Sequence, residues 1–134
     1  DYPFLSTSMM EFWRRWHITL GDWCRNYVFL PVARMTGSPA LAILATFLVI
    51  GLWHQGTLSW AMFGVVNGLA VLLSISVARR RWLDAVPDAL RTAGGVLFVH
   101  LVACVAAAFS FSSNRDGVAG ALQILARGLG LDGW

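Results

Sequence analysis

Between Met35 and Ala78 the chain carries 44 consecutive residues without an aspartate, glutamate, lysine or arginine. A second uncharged stretch, Thr92 to Asn114, adds 23 more. Apolar runs of about 18 residues or longer read as membrane helices, because a helix of roughly 20 residues matches the hydrocarbon thickness. Charged residues make up 13% of the chain against a usual share of about 25%. That shortage argues against an ordinary soluble domain. Disorder is excluded as well, since 57% of the residues are hydrophobic. Two cysteines, Cys24 and Cys104, allow one bridge at most, which rules out a small disulfide scaffold. They read as free thiols, and Cys24, near an interfacial helix, is a weak candidate for lipidation.

All ten basic side chains are arginine, and the formal charge is +3. The arginines flank the apolar runs instead of forming one basic face, so they fit the positive-inside bias better than nucleic-acid binding. The chain opens on Asp1 with no signal peptide before it, and we expect a portion of a longer membrane protein.

The expected fold is all-α: an integral membrane helical bundle with an interfacial amphipathic region. Residues 1–34 are aromatic and charged together. Ser8 and Glu11 form a capping box that starts a helix near Met9. Trp13, Trp16, Leu20, Trp23 and Tyr27 recur at three- and four-residue steps, one aromatic stripe that breaks and resumes near Gly21 and ends at Pro31. This region suits either the membrane interface or a packed position against the bundle. Ser38-Pro39 starts the next helix, and 39–78 reads as a helical hairpin holding His54. Leu58–Ala78 can span alone, and Arg79, Arg80 and Arg81 close it. Ala93–Phe111 is a further span, Ser112–Gly117 a loop and Val118–Leu131 a terminal helix.

If the hairpin is antiparallel, Arg34 and Arg79–Arg81 share a side with Arg14, Arg15, Arg25 and Arg91, and that side is cytoplasmic. Pro39 to His54 is 16 residues, about 24 Å of helix, against about 30 Å of hydrocarbon. A helix starting at the cytoplasmic edge leaves His54 within the membrane. There it is either a functional group or a histidine satisfied by a carbonyl. His100 lies mid-span with no motif around it and reads as structural.

Two strings stand out: Phe12-Trp-Arg-Arg-Trp-His17, continuing Ile-Thr-Leu-Gly-Asp-Trp23-Cys-Arg25-Asn-Tyr27, and Gly51-Leu-Trp-His54-Gln-Gly56. Together they resemble the membrane-bound O-acyltransferase family, in the bacterial branch of alginate O-acetyltransferase and the teichoic acid D-alanyl transferase. That branch carries a pattern like F-W-R-R-W-H-I-S-L-S-x-W-x-R-D-Y and then an apolar helix ending G-L-W-H-G. Gln55 stands between the histidine and the glycine here, and Asn67-Gly68 stands where the family often has His-Gly.

The resemblance implies that residues 1–134 are the C-terminal part of a single membrane domain in the multi-pass inner-membrane protein. It implies transfer of an acyl, above all acetyl, group from a thioester to a hydroxyl of an exported polysaccharide or envelope acceptor. His54 would be the catalytic histidine and His17 its partner. A hydroxyl is a poor nucleophile until a base takes its proton, and neutral imidazole does that near pH 7. Trp53 and Trp16 beside the histidines, with Arg14, Arg15, Arg25 and Asn67, are candidates for substrate or donor binding. The donor, acetyl-coenzyme A or an acyl carrier thioester, is a co-substrate; no bound cofactor and no metal site is expected. Partners are the bilayer, the donor, the acceptor and other envelope-modification proteins, and no nucleic acid. The competing reading is a transporter with a histidine-lined proton or solute path.

Overall fold

The computed structural model describes residues 2–80, 85–112 and 116–131. Every regular element among them is helical. A 3₁₀ turn at Pro3–Leu5 leads into α1 (Met9–Arg15) and α2 (Ile18–Cys24). A π-helical turn, Arg25–Phe29, joins α2 to α3 (Leu30–Thr36). Then come α4 (Pro39–Gln55), α5 (Leu58–Ala78), α6 (Asp88–Ser112) and α7 (Gly117–Gly128). Arg81 and Asp84, and Ser113 to Arg115 of the expected loop, lie outside the described residues.

Local chemistry accounts for the starts. Ser8 Oγ accepts from the Glu11 N–H at 3.2 Å, one half of the expected capping box. The other half is displaced by a residue: the Glu11 carboxylate accepts from the Thr7 N–H at 2.8 Å. It also holds Arg15 at 2.5 Å. Ser38 Oγ accepts from the Leu41 N–H at 3.3 Å, with Pro39 at the first helical position, where its missing N–H costs nothing. α6 begins at Asp88, five residues before the apolar run, because the Pro87 carbonyl accepts from both Leu90 and Arg91.

Three expectations about the first region are corrected. The break does not fall at Gly21, which lies inside α2; it falls at Trp16 and His17. Trp16 is extended, and its ring stacks on Phe12 at 5.8 Å and 13°. His17 is left-handed at φ 49°, ψ 48°. Histidine is among the few side chains that visit this region at modest cost. Because of this break Trp13, Trp16, Trp23 and Tyr27 do not form one stripe: Trp13 packs on Phe47 at 5.0 Å, while Trp23 and Tyr27 pair with each other on the outside. Finally, Pro31 does not end the helix. A proline ring clashes with the carbonyl four residues back. Here the wider π turn, closed by the Leu30 N–H on the Arg25 carbonyl, makes room for it. Gly37, left-handed at φ 65°, ends the helix instead.

α4 and α5 form an antiparallel hairpin whose backbones nearly touch. A Cβ added at Gly51 would lie 2.1 Å from the Trp60 carbonyl oxygen, and one at Gly64 would lie 2.3 Å from that of Phe47. Gly64 and Gly68 of α5 face α4, and Ala61 on the same helix is buried. Asn67, on the same helix, does not reach a neighbour through its Nδ2, which bonds back to the Phe63 carbonyl at 2.9 Å. The main core joins α1, α4, α5 and α6 through Met9, Phe12, Phe47, Ile50, Val71 and Val99. The first region is thereby held against the bundle, with the Met9 N–H on Ser74 Oγ at 3.3 Å.

α5 and α6 are both long and apolar enough to cross a membrane, with mean hydropathies of 2.0 and 2.1. Leu69, Leu73, Leu97, Leu101 and Phe111 point outward from them, an apolar surface that water would penalise and lipid would not. α7 stops at Gly128, short of the expected Leu131, and Gly130 turns the chain at φ 68°.

Candidate functional site

His54 occupies the last turn of α4. Gly56, left-handed at φ 66°, stops that helix by donating its N–H to the Leu52 carbonyl at 2.8 Å. Thr57 then caps α5 by accepting from the Trp60 N–H. The chain therefore reverses within two residues of the histidine and brings the first turn of α5 across it. Trp60 stacks on the imidazole with centroids 4.3 Å apart and planes 23° apart. Trp53 meets the ring at 5.0 Å and Phe63 at 6.3 Å, both edge-on. Trp60 is itself tethered, since its Nε1–H donates to Gln55 Oε1 at 3.0 Å.

His17 stands at the corner between α1 and α2. Trp16 meets its ring edge-on at 5.3 Å. His17 and His54 are 37 residues apart in sequence, and each has a neighbouring tryptophan ring edge-on to its own. Both side chains are exposed among the described residues, so each has a face open to a reactant. Among the described residues His17 is the one non-glycine residue with a positive φ.

The remaining sequence candidates spread out. Trp53 and Trp16 each touch a histidine. Arg15 is taken up by Glu11 and the Tyr2 carbonyl, and Arg14 by Met10 Sδ at 3.1 Å. Arg25 lines an apolar cleft of about 450 Å³ with Gly21, Phe29, Pro39, Phe47 and Val71. Asn67 is 2% exposed, and its Nδ2 donates to the Phe63 carbonyl within its own helix. His100 faces outward with Nδ1 at 2.9 Å from the Val96 carbonyl, and Phe4 lies between its ring and Trp16. Cys24 is 1% exposed, which removes it as a lipidation site, and burial pushes its thiol up. Glu11 is held below the usual carboxylate range, chiefly by the Thr7 N–H and then by the Arg15 charge.

Sequence reasoning missed Trp60, Phe63 and Gln55. Trp60 lies six residues past His54, and only the tight turn brings it back over the ring. The Gly-Thr pair after Gln55 was the available signal for that turn.

An exposed imidazole set among indoles at the end of the shorter apolar helix α4, with a second imidazole at the α1–α2 corner, defines a histidine-centred site in an all-α bundle. The model of the membrane-bound O-acyltransferase family matches residues 3–112, and the chain belongs to that family. It is accordingly a membrane helical bundle. It is 32% identical over 119 residues to a protein named probable alginate O-acetylase from Azotobacter vinelandii, covering 87% of this chain and 23% of that protein. A protein of the same name from Pseudomonas aeruginosa is 31% identical over 76% of this chain and 19% of its own length. The peptidoglycan O-acetyltransferase of Helicobacter pylori is 26% identical over 98% of this chain and 24% of its own length. The chain thus spans about a fifth to a quarter of the length of these relatives. No solved structure matches it.

Proposed function

We propose that the protein carrying this chain is an O-acyltransferase of the inner membrane, multi-pass, that moves an acetyl or similar acyl group from a thioester to a hydroxyl of an exported polysaccharide or envelope polymer. Membership of the family and the relatives' names support the class of reaction. The observation that carries the assignment of residues is the setting of the two histidines: His54 lies exposed at the turn of the hairpin with indoles against its ring, and His17 lies exposed at a left-handed corner beside Trp16.

In this reading neutral His54 takes the proton of the acceptor hydroxyl as its oxygen attacks the thioester carbonyl. A C–O bond forms and the C–S bond breaks. The leaving thiolate then recovers the proton from the imidazolium, so His54 ends neutral. His17 orients the acceptor or donates a hydrogen bond to the carbonyl oxygen as negative charge develops there. Acetyl-coenzyme A or an acyl carrier thioester is the donor, without a bound cofactor. The arginine-rich end faces the cytoplasm, and other envelope-modification proteins are partners. Nothing in the relatives favours a histidine-lined transport path.

The test is transfer of label from radiolabelled acetyl-coenzyme A to envelope polysaccharide in membranes containing the intact protein. His54→Ala should lose about 10²–10⁴ in rate, the usual worth of a general base. His17→Gly accepts the left-handed backbone and so removes the imidazole without straining the corner; it should be impaired at normal protein levels. His100→Ala should transfer normally. Near-normal transfer by His54→Ala would refute the assignment.

A further inference from the structure

We infer that Trp60 is the positioning residue for His54: an indole clamped between the two helices of the hairpin that fixes the plane of the imidazole. The inference rests on the reading of His54 as the general base. A base needs an in-plane nitrogen lone pair free to accept a proton. A hydrogen-bonding neighbour would fix the ring but occupy one nitrogen. A stacked ring fixes the plane and leaves both nitrogen edges open. Trp60 covers one face of His54, with Trp53 and Phe63 edge-on around it.

Trp60 is held at two further points, each on α4: one through its indole and one through its backbone. Its Nε1–H is bound to Gln55, the residue next to the histidine. Its own backbone carbonyl sits against Gly51, one helical turn before the histidine, with no room for a side chain between them. Three successive contacts, at residues 51, 54 and 55, therefore tie one tryptophan to the helix that carries the base. Trp60 places its ring and not a polar atom on His54, so its role is to hold and not to react.

Kinetics in membranes containing the intact protein test this, with radiolabelled acetyl-coenzyme A as the thioester. Trp60→Leu removes the aromatic face and should lower kcat about ten- to a hundredfold, the scale of a misplacement of about 1 Å, with KM for acetyl-coenzyme A unchanged. Trp60→Phe restores a face and should recover most of that loss. On a His54→Ala background, Trp60→Leu should cost nothing further, because the residues act as a unit. Wild-type kcat in Trp60→Leu, a rise in KM at constant kcat, or a Trp60→Phe as slow as Trp60→Leu would each overturn the inference. If Trp60→Leu fails to accumulate, Gln55→Leu decides: a kcat several-fold down supports the clamp, and an unchanged kcat overturns it. An active His54→Ala protein would remove the base itself. An inactive His54→Ala beside a fully active Trp60→Leu would remove only the clamp.

Discussion

Adding a single methyl group at Gly51 tests how the packing of the hairpin sets the site. In Gly51→Ala the new Cβ would lie 2.1 Å from the Trp60 carbonyl oxygen and 3.1 Å from its carbon. An ordinary carbon–oxygen contact is about 3.3 Å, so α4 and α5 must part by roughly 1 Å. Both atoms belong to backbone, and no side-chain rotation relieves the clash. Overpacking of this kind costs about 1–3 kcal/mol. The larger effect falls on chemistry, because the residue pushed away is Trp60, which covers His54. We expect a melting temperature several degrees lower in detergent and a transfer rate at least about tenfold lower. Gly94→Ala is the control: nothing lies within 4 Å of a Cβ there, and alanine in a helix is worth up to about 1 kcal/mol over glycine. It should melt no lower than the parent. A Gly51→Ala protein with parental melting and parental transfer would refute the close approach of the helices.

Two further outcomes are expected. Glu11→Gln should lower the melting temperature slightly at pH 7; screening of a side chain about a third exposed holds the effect to about 0.5 kcal/mol. Because the Glu11 carboxyl is held low by the Thr7 N–H, its contribution is complete above the ordinary glutamate value and is lost as pH falls through the folded value. The parent and the variant should therefore converge in acid, and a gap that widens below pH 4 would contradict this. Ala85→Cys, in a protein with Cys24 and Cys104 replaced by serine, should resist an impermeant thiol reagent added outside intact cells. Labelling from outside would invert the proposed topology.

Much of the helical frame was legible because it follows from local chemistry. Ser8 and Ser38 announce helix starts, and the uncharged run Leu58–Ala78 coincides with α5. Where the reading failed, it failed at backbone choices that tertiary contacts decide. Periodicity sees residues 12–27 as one face, but Trp16 leaves the helix to stack on Phe12, and the turn is then taken by His17 instead of Gly21. Pro31 reads as a terminator under a rule that assumes α geometry, and the π turn escapes that assumption. At the candidate site both histidines were legible from their Trp-His strings. Trp60 was not, because its place over His54 depends on a reversal of the chain that no periodic pattern encodes.

The segment before α1 has a consequence for biogenesis. Phe4 rests between Trp16 and His100, the Thr7 carbonyl lies against Gly95 with no space for a Cβ, and the Met9 N–H reaches Ser74. The contacts with His100, Gly95 and Ser74 join parts of the chain that leave the ribosome far apart in time, whereas Gly51, Trp60 and Gly64 meet across a turn. Closing a short loop costs less entropy than closing a long one. The α4–α5 hairpin can therefore assemble as soon as it is made. The segment before α1 has to wait for α6 to be made before it is fastened across it. Until then Met9 and Phe12, buried in the finished core, have only part of their cover. A chain interrupted between α5 and α6 would keep the hairpin and lose this fastening, leaving the corner that carries His17 without its support.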